Sequence, residues 1–179
     1  MASRHDTAAK LGSASAKRSC PEGRLSKPTR RRGGRDIVDI DTYIPYFLTS
    51  VNNALSRGAS ARYLAEFGIG IFDWRLVSML AIEPRIPAHR ACQVVSLDKA
   101  QVSRSLKKMR ELGLVDFETA EGDPRRKIWW LTDRGYDLHD RILRVALERE
   151  RALIEGADPD DLEAFLRVIR IMRRNVEKL

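Results

Sequence analysis

The chain has 179 residues, 43% of them hydrophobic and 32% charged, and a formal net charge of +8. This composition is typical of a globular protein and excludes a wholly disordered chain. No stretch approaches the roughly 18 to 20 apolar residues of a membrane span, and no apolar run follows the first cations, so we expect a cytoplasmic protein without a secretory signal. Cys20 and Cys92 form neither a disulfide framework nor a metal motif, and we predict no metal and no cofactor.

Residues 1–36 hold ten Lys and Arg residues against three carboxylates and contain few large apolar residues. Such a segment buries too little surface to offset the entropy of ordering it, and it is predicted to be a disordered basic tail. Its run Arg30-Arg31-Arg32 can contact phosphates without reading sequence, although a solvated tail is the simpler interpretation.

From about Asp36 the apolar residues recur at steps of three and four, which predicts a helix over 38–56 that ends before Gly58. A second helical piece, 59–66, precedes a break at Gly68 and Gly70. We expect residues 37–70 to make up one segment, an N-terminal dimerisation helix and its connection. The apolar positions of the first helix are Ile40, Tyr43, Ile44, Phe47, Leu48, Val51 and Leu55.

Three further helices are predicted over 73–82, 88–95 and 97–112. Pro84 and Pro87 bound the connection between the first two, and Pro87 is compatible with a first helical turn. Ser96 offers a capping oxygen to the third helix, and Asp98 falls in its first turn, where negative charge is favourable.

The helix over 97–112 is amphipathic. At about 100° per residue, Val102, Leu106 and Met109 lie on one side. The opposite side is polar and basic, and Gly113 ends the helix. The residues on that side are Ala100, Arg104, Lys107 and Glu111, flanked by Gln101, Ser103 and Lys108.

A β-hairpin follows. Leu114 to Phe117 reads as one strand, 121–124 as a turn, and 128–131 as the return strand. Two short helices, a longer helix and a hairpin, in this order, predict a winged helix-turn-helix over 71–132. The longer helix would enter the major groove of duplex DNA with its N-terminal residues nearest the bases.

This interpretation assigns roles to the polar residues of the helix and of the hairpin tip. Gln101 and Arg104 suit two-pronged contacts with adenine and guanine, whereas Lys99 and Ser103 suit bases or phosphates. Lys107 and Lys108 suit the DNA backbone. At the tip, Arg125, Arg126 and Lys127 suit phosphates or a narrow minor groove. Asp123 is expected to fix the wing structurally, because a carboxylate is repelled by DNA.

Residues 133–179 predict two more helices. Thr132 caps the first, and Asp158-Pro159 starts the second. The flanking helices at 38–56 and 158–177 carry more apolar surface than one small winged domain can cover, which predicts a homodimer. The interface candidates are Ile40, Ile44, Leu162, Phe165, Leu166 and Ile169.

The sequence resembles the MarR family of bacterial transcriptional regulators. The resemblance rests on Val102-Ser103-Arg104 with Leu106, then Leu112-Gly113-Leu114-Val115, Asp123 to Lys127, and Leu131 to Gly135, supported upstream by Phe67-Gly68-Ile69 and Trp74 to Val77. It covers about residues 37–179. It implies a mainly α (α+β) fold, a winged helix-turn-helix with flanking dimerisation helices, assembled as a triangular homodimer on a palindromic operator.

The resemblance also implies a repressor that is released by a small ligand such as an aromatic acid. The residues expected to line the ligand cleft are Tyr43, Tyr46, Phe47, Trp74, Arg75 and His89, although core packing is the simpler interpretation of each aromatic residue. The segment 85–92 departs from the family pattern, and its Arg90 is a further phosphate candidate.

Two alternatives remain open. Cys92 predicts a thiol-based redox sensor, although a lone cysteine on an amphipathic helix is more often a buried small hydrophobe. The basic tail alternatively predicts a nonspecific DNA-binding protein. An enzyme is not predicted, because the sequence contains no nucleophile–base pair, phosphate loop or metal cluster.

Overall fold

The computed structural model describes residues 24–95, 98–120 and 122–179, without the side chains of 94, 95, 120, 124 and 125. The chain divides into two compact units between Leu55 and Ser56. This division falls within a helix, and the four-part organisation expected from the sequence stays a prediction. No helix in the described ranges is both long enough and apolar enough to cross a membrane.

The first unit contains a β-hairpin followed by the start of a long helix. Strands β1 (Thr29–Arg32) and β2 (Arg35–Val38) pair in antiparallel fashion, and α1 runs from Ile44 to Phe67. Residues 29–38 were expected to belong to the disordered tail and the helix that follows it, and the hairpin corrects both expectations. Residues 1–23 of the predicted tail lie outside the described part of the chain.

Helix α1 also differs from the two pieces predicted around Gly58. It is continuous through that glycine, and its C-terminal half buries Ala59 and Tyr63 in the core of the second unit. A glycine in a helix interior costs only about 1 kcal/mol relative to alanine. Burial of an aromatic side chain one turn later contributes more than that.

The second unit adds α2 (Ile71–Ile82), β3 (Ile86–Pro87), α3 (Ala88–Val95), α4 (Lys99–Glu111), β4 (Val115–Ala120), β5 (Asp123–Leu131), α5 (Asp133–Leu153) and α6 (Pro159–Val176). The sheet order is β3-β5-β4, and all its pairings are antiparallel. Pro87 therefore lies in a short strand, opposite Ile128, and not in the first turn of α3, a position with which it was also compatible.

The core of this unit lies between α2, α4, α5 and the sheet. Its fully buried side chains include Leu76, Leu80, Leu106, Met109 and Ile142, each at most 2% exposed. Helix α5 begins where Thr132 Oγ1 accepts a hydrogen bond from the Gly135 amide, as predicted. Helix α6 begins at the predicted Asp158 cap, whose carboxylate accepts from the amides of Asp160 and Asp161.

Candidate nucleic-acid interface

Helix α4 is positioned by a cap at its N-terminus and by apolar residues along one side. The Asp98 carboxylate accepts a hydrogen bond from the Gln101 amide at 2.7 Å, so Asp98 is the cap rather than a first-turn residue. Ser96 and Leu97, predicted to cap and to start the helix, lie outside the described residues. Val102, Leu106 and Met109 are buried as expected, and their burial turns the opposite side outward.

The outward side of α4 carries the side chains predicted to read bases. Ser103 and Arg104 are exposed, and Gln101 is half-buried. Arg104 Nη2 donates to Gln101 Oε1 at 3.3 Å. Their donor and acceptor groups are therefore adjacent, and both side chains have the chemistry for two-pronged contacts with bases. Lys99 is exposed at the first residue of the helix.

The two lysines at the next turn differ from each other. Lys107 is exposed and lies 4.0 Å from Glu111, a weak pair one turn apart. Lys108 Nζ lies 2.7 Å from Asp73 Oδ2 on α2. Asp73 is only 7% exposed and also accepts from the Gly70 amide at 3.3 Å. Lys108 therefore joins α4 to the start of α2, and its expected contact with the DNA backbone stays a prediction.

The hairpin β4–β5 forms a wing in which Lys127 lies against aromatic rings. Lys127 Nζ lies 4.0 Å from the centre of the Phe117 ring, and Arg110 approaches the same ring at 4.4 Å. Phe117 itself packs on Trp129 with 4.7 Å between ring centres. The aromatic pair thus positions the Lys127 ammonium. The contact depends on the register of β4 against β5, which the sequence alone does not give.

The remaining wing residues lie near its tip. Asp123 is exposed and begins β5, opposite Ala120 across an irregularity in the strand pairing. Arg126 is exposed. The backbone of Arg125 belongs to β5, but its side chain is outside the described part, so its contacts are not assigned. Glu121, predicted in the turn, is also outside the described residues.

A cleft of about 510 Å³ lies between α4 and the wing. Lys99 and Ser103 from α4 border it together with Arg126 and Lys127 from β5. These two groups of predicted DNA-binding residues therefore lie around one concave surface. The rest of the lining is Pro87, Ala88, His89, Cys92, Leu106 and Trp129.

The six ligand-pocket candidates divide between the two units, and that they share one cleft stays a prediction. His89 lines the cleft just described, whereas Trp74 packs between Tyr63 and His139, with ring centres 6.1 and 5.4 Å away. Arg75 donates weakly to Ser56 and lies over Phe72. Trp74 thus packs against the core, in agreement with the simpler interpretation. Tyr43, Tyr46 and Phe47, in the first unit, are exposed.

Two residues of α3 were assigned further roles from the sequence. Arg90 makes a two-pronged contact with Glu83, at 2.7 and 2.8 Å. The hydrogen bond from Arg90 lowers the pKa of the Glu83 carboxyl. The guanidinium is thus engaged within the protein, which weakens Arg90 as a phosphate contact. Cys92 is a free thiol, half-buried in the wall of the cleft.

This geometry has known counterparts. The sequence model of the MarR family matches residues 67–126. The crystal structure of a MarR/EmrR family transcriptional regulator from Acinetobacter sp. ADP1 is 27% identical, with a TM-score of 0.73, and the match covers 79% of this chain and 100% of that one. The chain has the MarR-family winged-helix fold. The resemblance predicted from the motifs is thereby confirmed.

More distant structures share the MarR-family fold. A MarR protein from Peptoclostridium difficile is 17% identical, with a TM-score of 0.72 over 82% of this chain and 96% of that one. The PcaV transcriptional regulator from Streptomyces coelicolor, in complex with its natural ligand, is 18% identical, with a TM-score of 0.66 over 77% and 96%. A search of curated proteins found no match.

Proposed function

We propose that the chain is a sequence-specific regulator of transcription that binds double-stranded DNA as a homodimer and is not an enzyme. The observation that carries the proposal is the shared cleft, which is bordered by Lys99 and Ser103 of α4 and by Arg126 and Lys127 of the wing. In this proposal α4 is the recognition helix, which enters the major groove. A recognition helix and a basic wing on one side of a domain suit simultaneous contact with a groove and the neighbouring phosphates.

The proposed contacts are of two kinds, contacts with base edges and contacts with the DNA backbone. Gln101 and Arg104 contact base edges in the major groove, because their side chains offer paired donors and acceptors. Ser103 and Lys99 complete the helix contact, and Lys107 binds the backbone. Arg125, Arg126 and Lys127 bind phosphates or enter the adjacent minor groove.

Replacing Arg104 with alanine tests the reading role. We expect a loss of about 1 to 3 kcal/mol in binding to the preferred duplex and a relaxed preference at one base pair per half-site. Arg126→Ala should weaken binding to all duplexes more uniformly. It should also reduce the slope of log K against log salt by about 0.9, the value for one phosphate contact. The measurement is selection of bound duplexes from random DNA, followed by titration of the preferred duplex at several salt concentrations.

Lys108→Ala is the structural control, because Lys108 pairs with Asp73. It should lower the stability of the fold and leave the selected sequence unchanged. A selection without any consensus would favour the nonspecific alternative. Unchanged selection and affinity for Arg104→Ala and Arg126→Ala together would remove the proposed interface.

The homodimer is supported by apolar surface that one protomer leaves open. All 18 residues of α6 are described, and none is buried. Phe165 and Leu166 are 56% and 38% exposed, and Leu162 and Ile169 are half-buried. In the first unit, Ile40 and Ile44 are 45% and 37% exposed. Burying such patches against a second copy would place two recognition helices on a near-palindrome, with half-sites about one helical turn apart.

We further propose repression that is relieved by a small aromatic acid bound in the cleft. Trp129 and Leu106 provide apolar walls, and Lys99, Arg126 and Lys127 supply positive charge for a carboxylate. A ligand in the cleft would bind the same cations that contact DNA, so ligand and DNA would compete for the protein. A regulator of the same fold, PcaV, has been seen with its natural ligand, which supports a ligand-responsive role without specifying this site.

One experiment separates ligand control from redox control through Cys92. Benzoate and hydroxybenzoates are titrated into the protein–operator complex, and a parallel sample receives mild peroxide followed by dithiothreitol. Ligand control predicts that a carboxylate releases the operator from the wild type and from Cys92→Ser. The Lys127→Ala variant should need a higher carboxylate concentration for the same release. Redox control predicts release by peroxide, reversal by the thiol, and resistance in Cys92→Ser. Release by neither reagent would contradict both mechanisms.

A further inference from the structure

The hairpin β1–β2 lies outside the residues that match the family model, which begin at Phe67. Its turn is Gly33-Gly34, with φ of +57° and +75°. Positive φ at both central residues is the signature of the tight turn that suits the twist of a two-stranded ribbon. The segment predicted to be a basic tail therefore contains a β-ribbon with a defined register.

The register sorts the arginines by face. Arg30 lies opposite Ile37, and Arg32 lies opposite Arg35. Because directly opposite residues share a face and successive residues alternate, Arg30, Arg32 and Arg35 lie on one side of the ribbon. We call this side the arginine face. Arg31 is on the other side, 3.9 Å from Asp36 and donating to the Gly34 carbonyl.

The arginine face carries positive charge that no carboxylate of the hairpin offsets. Within the described chain, the guanidiniums of Arg30, Arg32 and Arg35 form no ion pair and no hydrogen bond, and all three residues are exposed. Like charges directly opposite each other in a ribbon destabilise it. Arg30 is roughly 7 Å along the strand from Arg32, which is within a Debye length at physiological salt. A bound polyanion would remove this repulsion.

Hydrogen bonds at the base hold the ribbon. The Asp39 amide donates to the Pro28 carbonyl at 2.9 Å. The Thr42 hydroxyl donates to the Lys27 carbonyl, and Arg24 donates to the Thr42 carbonyl. An isolated two-stranded hairpin is marginally stable in water, so these bonds matter for presenting the three arginines together.

We propose that the arginine face is a second DNA contact, which binds phosphates of the duplex without reading bases. The inference rests on the proposed function, because it assigns the same partner to a surface outside the winged helix. Guanidiniums match phosphate oxygens with paired donors. A lipid surface fits less well, because the only apolar residue on this face, Ile37, is half-buried and not available for insertion.

The test compares the salt dependence of operator binding for the full-length wild type and the triple variant Arg30→Gln, Arg32→Gln, Arg35→Gln. Each lost phosphate contact should reduce the slope of log K against log salt by about 0.9, or about 2.7 per subunit for three contacts. The base preference found by duplex selection should not change. A triple Arg→Lys variant should retain most of the slope, since lysine keeps the charge.

Two single variants provide a matched control for net charge. Arg32→Gln and Arg31→Gln change neighbouring residues and remove one charge each, but only the first acts on the arginine face. A larger loss of slope for Arg32→Gln is expected. Equal effects, or an unchanged slope in the triple variant, would overturn the proposal while leaving the winged-helix function intact. Failure of the wild type to select any duplex would instead overturn the proposed function. If the triple Arg→Gln variant lost binding to anionic vesicles but kept the wild-type slope of log K against log salt for DNA, the DNA assignment would also be overturned.

Discussion

Replacing Gly135 with alanine is expected to destabilise the winged-helix unit by about 3 kcal/mol, at the upper end of the range for overpacking. A Cβ at this position would lie 2.1 Å from the Leu114 carbonyl oxygen and 3.2 Å from Leu131 Cβ. The same carbonyl accepts a hydrogen bond from the Thr132 amide at 3.1 Å. Neither backbone group can move without separating the start of α5 from the wing.

Urea unfolding of the full chain measures this effect, and Gly58→Ala is the matched control. Gly58 lies in the interior of α1, where a Cβ would meet only the end of the flexible Arg149 side chain, at 3.3 Å. Alanine there should change stability by no more than about 1 kcal/mol, with a gain in helix propensity. Equal stabilities for Gly135→Ala and the wild type would contradict the close approach of α5 to the wing.

Replacing Phe165 with aspartate is expected to dissociate the proposed dimer and to lower operator affinity at least about 100-fold. Phe165 is 56% exposed in the protomer, so its loss removes little of the protomer's own core. A charge in an apolar interface is costly to desolvate. Two linked recognition helices bind more tightly than one by a factor of about 10² to 10⁴, because the second contact becomes intramolecular.

Sedimentation velocity reports the oligomeric state, and titration of the operator reports the affinity. Arg167→Asp introduces the same residue on the face of α6 that helical spacing places opposite Phe165, and it should leave the dimer intact. A wild type that sediments as a monomer, or a Phe165→Asp variant that stays dimeric, would contradict the assigned interface.

Local signals in the sequence predicted much of the fold. The bounds of α3, the Thr132 cap and the Asp158-Pro159 start of α6 depend on residues within one turn of each other, and the structure confirms them. The continuity of α1 through Gly58 was missed because burial of Ala59 and Tyr63 is a tertiary effect. Strand β3 was missed because its two residues form a strand only by pairing with β5.

In the candidate site, too, local signals were predictable from the sequence and tertiary contacts were not. Helical spacing alone was enough to place Arg104 and Lys107 on the outward side of α4. It did not distinguish Lys107 from Lys108, because Asp73, the partner of Lys108, is 35 residues away along the chain. The alternation of the Arg30 to Arg35 side chains was equally hidden, since it depends on which residues pair across the Gly33-Gly34 turn.

The Arg104–Gln101 hydrogen bond has a consequence for how binding preference changes over evolution. Arg104 and Gln101 bond to each other through their side chains, whereas Lys108 and the buried Met109 attach the helix to the rest of the unit. The groups proposed to choose a DNA sequence are thus separate from the groups that hold the helix. If Arg104 and Gln101 read the operator as proposed, substitutions at these two positions can change the preferred DNA sequence while the protein continues to fold.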